Sequence, residues 1–277
     1  MRKSTCAALL ALALVGCAQP TPEQQIIDDA AAALGGRDAL LAPKSLVLEG
    51  EGTNGNLGQD MTPEATGQTF RVTGYTRAVD LTAERMRVEQ TRTPGFTYFQ
   101  GAAAQKQIQG VDGDLGYNIA PNGAATRTPD PVARDRRDDI YHHPLTLVRA
   151  ALDPAARLVN PRTAGSERVV DVTTAKGQTF TLAVDGTTSL PTRVASMRYN
   201  ANLGDVLVET AFADYQDVGG LKLPSHLVAK TDKYTTADLR LTSQAVDGSG
   251  DLAAPAAAAS APAVAGVPPA TVTVTDL

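Results

Sequence analysis

The apolar positions of the chain change their period twice. Ile26, Ile27, Ala30, Ala31 and Leu34 recur at three- and four-residue spacing, which places them on one face of a helix. Thr21 suits the N-cap and Pro22 the first helical position, and Gln24 completes a Thr-x-x-Gln capping box. Gly35-Gly36 ends the helix, and a short turn over 37–42 stops at Pro43. From Ser45 the period becomes two. Leu46 and Leu48 alternate with Glu49 and Glu51, Phe70 and Val72 with Arg71 and Thr73, and Met86 and Val88 with Arg85, Arg87 and Glu89. This alternation predicts half-buried antiparallel strands, with one face in the core and one in water. The stretch 52–67, rich in Gly, Asn, Thr and Pro, reads as a loop, and 106–120 as a hairpin turning at Asp112-Gly113.

Residues 129–137 break the strand pattern. A helix is predicted over about 134–152, with Ile140, Leu145, Leu147, Val148, Ala151 and Leu152 on its buried face; Pro144 must kink or divide it. Alternation then returns at Val170 and Val172 and at Phe180, Leu182 and Val184, with turns at Lys176-Gly177 and Asp185-Gly186. Four further strands follow over 190–199, 205–215, 221–232 and 234–246. Strands joined in sequence by short turns predict a mainly β (α+β) fold: a curved antiparallel sheet, a half-barrel, with one face covered by the helical segments. Residues 248–269 collapse to Ala and Pro and read as a linker. Residues 270–277 alternate Val272 and Val274 with Thr, like the stub of a further strand or of a missing downstream domain.

The N-terminus carries a different signal. Arg2-Lys3 precede an uncharged apolar run over 7–15, about half the ~20 residues a membrane-spanning helix needs, which is the layout of a secretory signal. Leu14-Val15-Gly16-Cys17 resembles a bacterial lipobox. The resemblance implies cleavage between Gly16 and Cys17 and lipidation of Cys17 with palmitate-type acyl chains, which anchor the protein to a membrane. Ala18, rather than Asp, after the cysteine implies the outer membrane, facing the periplasm. Cys6 leaves with the signal, so the mature chain has one cysteine and no internal disulfide. The expected layout is signal 1–16, lipidated tether 17–22, sheet domain 23–247, linker 248–269 and stub 270–277.

Two passages resemble known families. Residues 33–40 (ALGGRDAL) with Lys44-Ser45-Leu46 and Glu49-Gly50, and residues 212–224 (FADYQDVGGLKLP), are similar to the first-strand entry and late-strand passage of LolA/LolB-like periplasmic proteins. The resemblance covers about 34–246. It implies a half-open antiparallel sheet whose apolar concavity receives acyl chains. More narrowly, Tyr141-His142-His143-Pro144-Leu145 and the 270–274 tail resemble the region preceding the catalytic domain of some metallo-β-lactamase-fold hydrolases. The His-x-His-x-Asp-His zinc motif of those enzymes does not occur here, so that resemblance implies an accessory region without its hydrolase.

Composition and candidate chemistry narrow the function. Loss of Arg2 and Lys3 takes the net charge from −5 to about −7, which disfavours a nucleic-acid partner. His142 and His143 are the weak candidates for a metal site, with Asp138 and Asp139 one turn upstream. Adjacent histidines diverge by about 100° on a helix, and zinc needs three or four converging ligands. Ser225-His226 are neighbours, poor geometry for nucleophile and base, and no Gly-x-Ser-x-Gly elbow, P-loop or dinucleotide fingerprint is present. Asp112-Gly113-Asp114 reads as a turn rather than a calcium loop. The run 134–139 (RDRRDD) is mixed in sign and reads as a solvated helix face. No catalytic residue and no cofactor are expected. The expected function is a non-catalytic envelope lipoprotein that binds an acyl or other apolar ligand or an envelope protein. The alternative is the accessory region of a downstream zinc-hydrolase domain.

Overall fold

The computed structural model describes residues 19–56, 67–97, 101, 103–200, 203–248 and 250–263. In chain order they form α1 (Pro22–Ala33), α2 (Arg37–Leu41), β1 (Ser45–Asn56), β2 (Gln68–Asp80), β3 (Arg85–Pro94), β4 (Gln105–Asp112), β5 (Leu115–Ile119), β6 (Ala125–Arg127), α3 (Asp130–Tyr141), α4 (Pro144–Ala151), β7 (Arg157–Ala164), β8 (Glu167–Thr173), β9 (Thr179–Asp185), β10 (Pro191–Asn200), β11 (Gly204–Val218), β12 (Leu221–Thr231), β13 (Tyr234–Val246) and α5 (Ala256–Ala259). All thirteen strands belong to one antiparallel sheet, ordered β6-β5-β4-β3-β2-β1-β13-β12-β11-β10-β9-β8-β7. The expected curved antiparallel sheet with helices over one face is the observed architecture.

The sheet is two meanders joined at the β1–β13 pair. β6 and β7 are the outer strands, and the chain between them must cross the whole sheet. It does so on one face and carries α3 and α4. α3 touches β3, β4 and β5 and also β10, strands far apart in the sheet order, so the sheet curls around it. The seam is bent by two close approaches. A Cβ on Gly50 would stand 2.3 Å from the Arg240 carbonyl oxygen, and one on Gly52 2.0 Å from that of Asp238. The register shifts at the same place, as expected where extra residues increase local coiling.

α1 begins as its sequence dictates: the Thr21 hydroxyl accepts from the Gln24 N–H at 3.4 Å. The capping box is only half made, because the Gln24 side chain turns forward to Asp28. Ile26, Ile27, Ala30 and Leu34 are buried and join Leu40, Leu46, Leu48, Leu147, Val170, Phe180, Leu182 and Leu223 in one core on the helix side of the sheet.

Several expectations are corrected. The helical segment expected over 134–152 starts earlier, at Asp130, and Pro144 divides it, as expected, into α3 and α4 at His142-His143. The loop over 52–67 is shorter, since β1 runs on to Asn56; residues 57–66 lie outside the described residues. β6 and β7 carried no alternation to reveal them. The Ala/Pro segment does not hang free where it is described. Over 250–263 it lies on the face away from the helices, with Leu252 and Ala258 buried. Arg87 and Arg127 donate to the carbonyls of Ala253 and Ala261, and the Ala254 N–H donates to the Asp112 carboxylate. Few polar side chains and short Ala contacts let it lie flat there. Residues 1–18 and 264–277, with Gly16, Cys17 and the stub, lie outside the described residues.

Candidate functional site

The helix side of the sheet is filled unevenly. α1, α2 and α4 press on one half mainly with apolar side chains, with an Arg168–Asp29 ion pair between β8 and α1. α3 spans the other half and leaves a cavity of about 240 Å³ between itself and the sheet. Apolar walls come from Tyr75 on β2, Met86 and Val88 on β3, Leu227 and Ala229 on β12, and Ala237 and Leu239 on β13. Arg77, Arg136, Asp139, His142 and Thr210 supply polar groups next to α3, and Asn54, Gln90 and Gln109 supply neutral polar groups from β1, β3 and β4.

Arg77 sits where alternation calls for an apolar residue. Phe70, Val72, Tyr75 and Val79 occupy the same face of β2, with the register shift between Thr73 and Thr76 restoring the phase. The buried guanidinium donates to the carbonyl oxygens of Asp139 and Ile140. These belong to the last turn of α3, whose carbonyls have no helical partner, and a cation there also meets the negative end of the helix dipole. Arg198 on β10 pairs with the Asp139 carboxylate from the opposite wall. Burial would raise the Asp139 carboxyl, but Arg198, aided by His142 and Arg77, outweighs it and holds the group below the usual carboxylate range. Arg136 donates to the carbonyls of Gly110 (3.1 Å) and Tyr117 (2.6 Å) and to the Asn118 side chain (2.7 Å). Arg137 pairs with Asp114 at the β4–β5 turn. The 134–139 run is therefore not simply a solvated face: Arg136, Arg137 and Asp139 tie α3 to the sheet from both sides.

The two adjacent histidines part company. The His142 ring lies between the Ser196 hydroxyl (2.9 Å, Nε2) and the Thr210 hydroxyl (3.1 Å, Nδ1). Burial pushes its pKa down to about 3, against the pull of Asp139. His143 caps α4: its Nδ1 accepts from the Leu145 N–H at 3.3 Å. That bond fixes the ring proton on Nε2, which is buried without a partner. Burial, and then Arg77, lowers the His143 pKa to about 3. Both rings are thus neutral near pH 7. Among the described residues, no three His, Cys, Asp or Glu side chains converge as metal ligands do. His226 bonds Asp238 at 2.8 Å, while its neighbour Ser225 donates to the Asp214 carbonyl. The passage 141–145, which carries the hydrolase-associated resemblance, is the α3–α4 joint, and its side chains serve packing and capping.

A second cavity of about 430 Å³ lies between α2, α4 and the β2–β3 and β8–β9 turns. Its polar groups are largely spent on one another. Glu84 accepts from the Tyr141 hydroxyl at 2.6 Å and pairs with Lys176 at 2.6 Å. Arg149 donates to the Leu40 carbonyl. Sequence reasoning reached Asp139 and His142 but missed Arg77, Arg198 and Thr210. The one available signal was an arginine in phase with Tyr75 and Val79 on a strand, a charged residue on an apolar face.

No family model matches the sequence, and no curated protein matches it. Solved structures are similar over most of their length at low identity. A LolA-superfamily protein of Nitrosomonas europaea is 12% identical over 82% of this chain and 94% of that one, with a TM-score of 0.46. A DUF1329-family protein of Desulfovibrio piger is 12% identical over 83% and 95%, at 0.42. LprF of Mycobacterium bovis is 11% identical over 86% and 99%, at 0.32.

Proposed function

We propose that this chain is a non-catalytic envelope lipoprotein, anchored through Cys17 to the outer membrane, whose half-barrel receives one apolar acyl-type chain between α3 and the sheet. The observation that carries the reading is the cavity itself. Its apolar walls are Leu, Val, Met, Ala and Tyr side chains; charged and polar groups stand next to α3, and Asn54, Gln90 and Gln109 add neutral polar groups from β1, β3 and β4. Ligand sites combine apolar walls with placed polar groups in this way. At about 240 Å³ it falls just below the ~300–1,000 Å³ usual for drug-sized ligands, so it fits a single chain segment rather than a whole multi-chain lipid. Arg77 and Arg136 bring two guanidiniums against the single Asp139 carboxylate of the lining, which suits an acidic or ester head group.

The test is native mass spectrometry on the chain begun at residue 17 with Cys17→Ser, offered a panel of fatty acids. One bound acyl ligand per protein is expected. Ala237→Phe, which places a ring in the cavity beside Ala229, is expected to cut retention at least tenfold while the unfolding midpoint stays in place. Protein that stays empty across the whole panel would sink the reading.

A further inference from the structure

Among the described residues seven large apolar side chains are exposed, and four of them sit on one hairpin. Met197 (61% exposed) and Tyr199 (66%) lie near the end of β10, Leu203 (67%) in the turn and Leu207 (40%) near the start of β11. Met197 pairs with Leu207 and Tyr199 with Asp205. The intervening Ser196 and Arg198 reach His142 and Asp139 on the helix side. Because successive strand residues face opposite ways, Met197, Tyr199 and Leu207 point to the outer face, away from the helices. A row of exposed apolar side chains at a strand end costs solubility and calls for an occupant.

We propose that this hairpin end is a membrane-docking tip that seats in the interfacial layer of a zwitterionic lipid bilayer. Three observations select that occupant. The first is size. Four side chains offer on the order of a few hundred Å², well short of the ~800 Å² per partner that a stable protein interface or dimer buries. A bilayer needs no matching surface. The second is composition: Met and Leu suit the acyl boundary, and a tyrosine ring suits the headgroup level. The third is charge. Asp205 lies across from Tyr199, and Asp232 accepts from the Leu207 N–H at 2.9 Å. On the adjoining β12–β13 hairpin Lys233 stands over the Tyr234 ring at 5.2 Å and balances only part of this. The tip therefore lacks the basic cluster that draws proteins to anionic lipids. The strands that carry the tip also carry Thr210 and Arg198, so docking there would bring the open half of the sheet towards the membrane. The proposal stands whatever the cavity holds.

The chain has no tryptophan, so a single introduced one reports cleanly. Tyr199→Trp is the reporter, and Leu41→Trp, at a 39% exposed position on α2, is the control. Both are made in the unlipidated Cys17→Ser chain begun at residue 17 and mixed with phosphatidylcholine vesicles. The Tyr199→Trp emission is expected to shift to the blue and to be quenched by brominated acyl chains, with no change at Leu41→Trp. Adding Leu203→Asp is expected to weaken vesicle partition at least tenfold while circular dichroism and the unfolding midpoint hold. The proposal is overturned if no shift occurs, if both reporters shift alike, or if Leu203→Asp changes nothing. A shift that grows with protein concentration in the absence of vesicles would assign the patch to a second copy instead. Binding confined to phosphatidylglycerol vesicles and abolished by salt would assign a different surface.

Discussion

The half of the sheet under α1, α2 and α4 and the half under α3 are built from the same kind of strand, yet they are filled in opposite ways. Under α4, Leu145, Leu147 and Val148 join Phe180, Leu182 and Val194 in one buried cluster, and the buried polar side chains of that helix and its cap, His143 and Thr146, bond to local backbone groups. Under α3 the helix offers few apolar residues to the sheet; Ala133, Ile140 and Tyr141 are its buried ones. Arginines do the holding instead, and a cavity remains between the helix and the strands. An apolar interface closes because every displaced water is a gain, roughly 25 cal/mol per Å² of apolar area. An interface held by guanidiniums and carbonyls must keep its geometry, and so leaves space.

The largest expected effect breaks the filled half. Leu147→Ala removes a fully buried side chain and should cost about 3–5 kcal/mol in urea unfolding, while Val88→Ala, half-buried on the cavity wall, should cost about 1 kcal/mol or less. Equal losses would mean that the cavity is closed in solution. Next comes Arg77→Met. It strands the carbonyls of Asp139 and Ile140 at the end of α3 and should cost about 2–4 kcal/mol. Hydrogen exchange should speed up in α3 ahead of α4; uniform loosening of both helices would contradict the division.

The smallest effect is graded with pH. His142 and His143 have folded-state pKa values lowered to about 3 from 6.5. Below pH 6.5 the unfolded chain takes up protons that the folded chain refuses, so stability falls as pH falls. The slope is about 1.4 kcal/mol per pH unit for each histidine, present between about pH 6 and 4 and absent above pH 7. Between pH 6 and 5 carboxylates with lowered values such as Asp139 stay ionised and do not contribute, while Asp135 and Asp138, raised by burial, act in the opposite direction. His142→Asn should halve that slope. An unchanged slope would show that the joint opens to water.

Much of the fold could be read along the chain because alternation is a local property. β12 begins at Leu221 and β13 spans Tyr234–Val246, where the pattern puts them, and the turn glycines 219 and 220 stand between strands. β7, with Pro161 and few apolar residues, left no such trace, and as an edge strand it needs only one neighbour. The site was legible only in part. His142 and Asp139 stood out as chemistry, but their partners Ser196, Thr210 and Arg198 lie more than fifty residues away. No spacing rule links them. The exposed Met197, Tyr199 and Leu207 likewise alternate as core residues do, and only the observed pairing shows which face they occupy.

By itself the sequence determined most of the strands, helix α1 and the break of the crossing segment at Pro144. Each rests on neighbours within a few residues, where sterics and hydrogen-bonding geometry act directly. Tertiary structure alone decided that the crossing chain passes over the inner face of the sheet and that Arg77 ends a helix more than sixty residues away. It also laid the Ala/Pro segment against the outer face. These depend on the curl of thirteen strands around one helix, which no local pattern encodes.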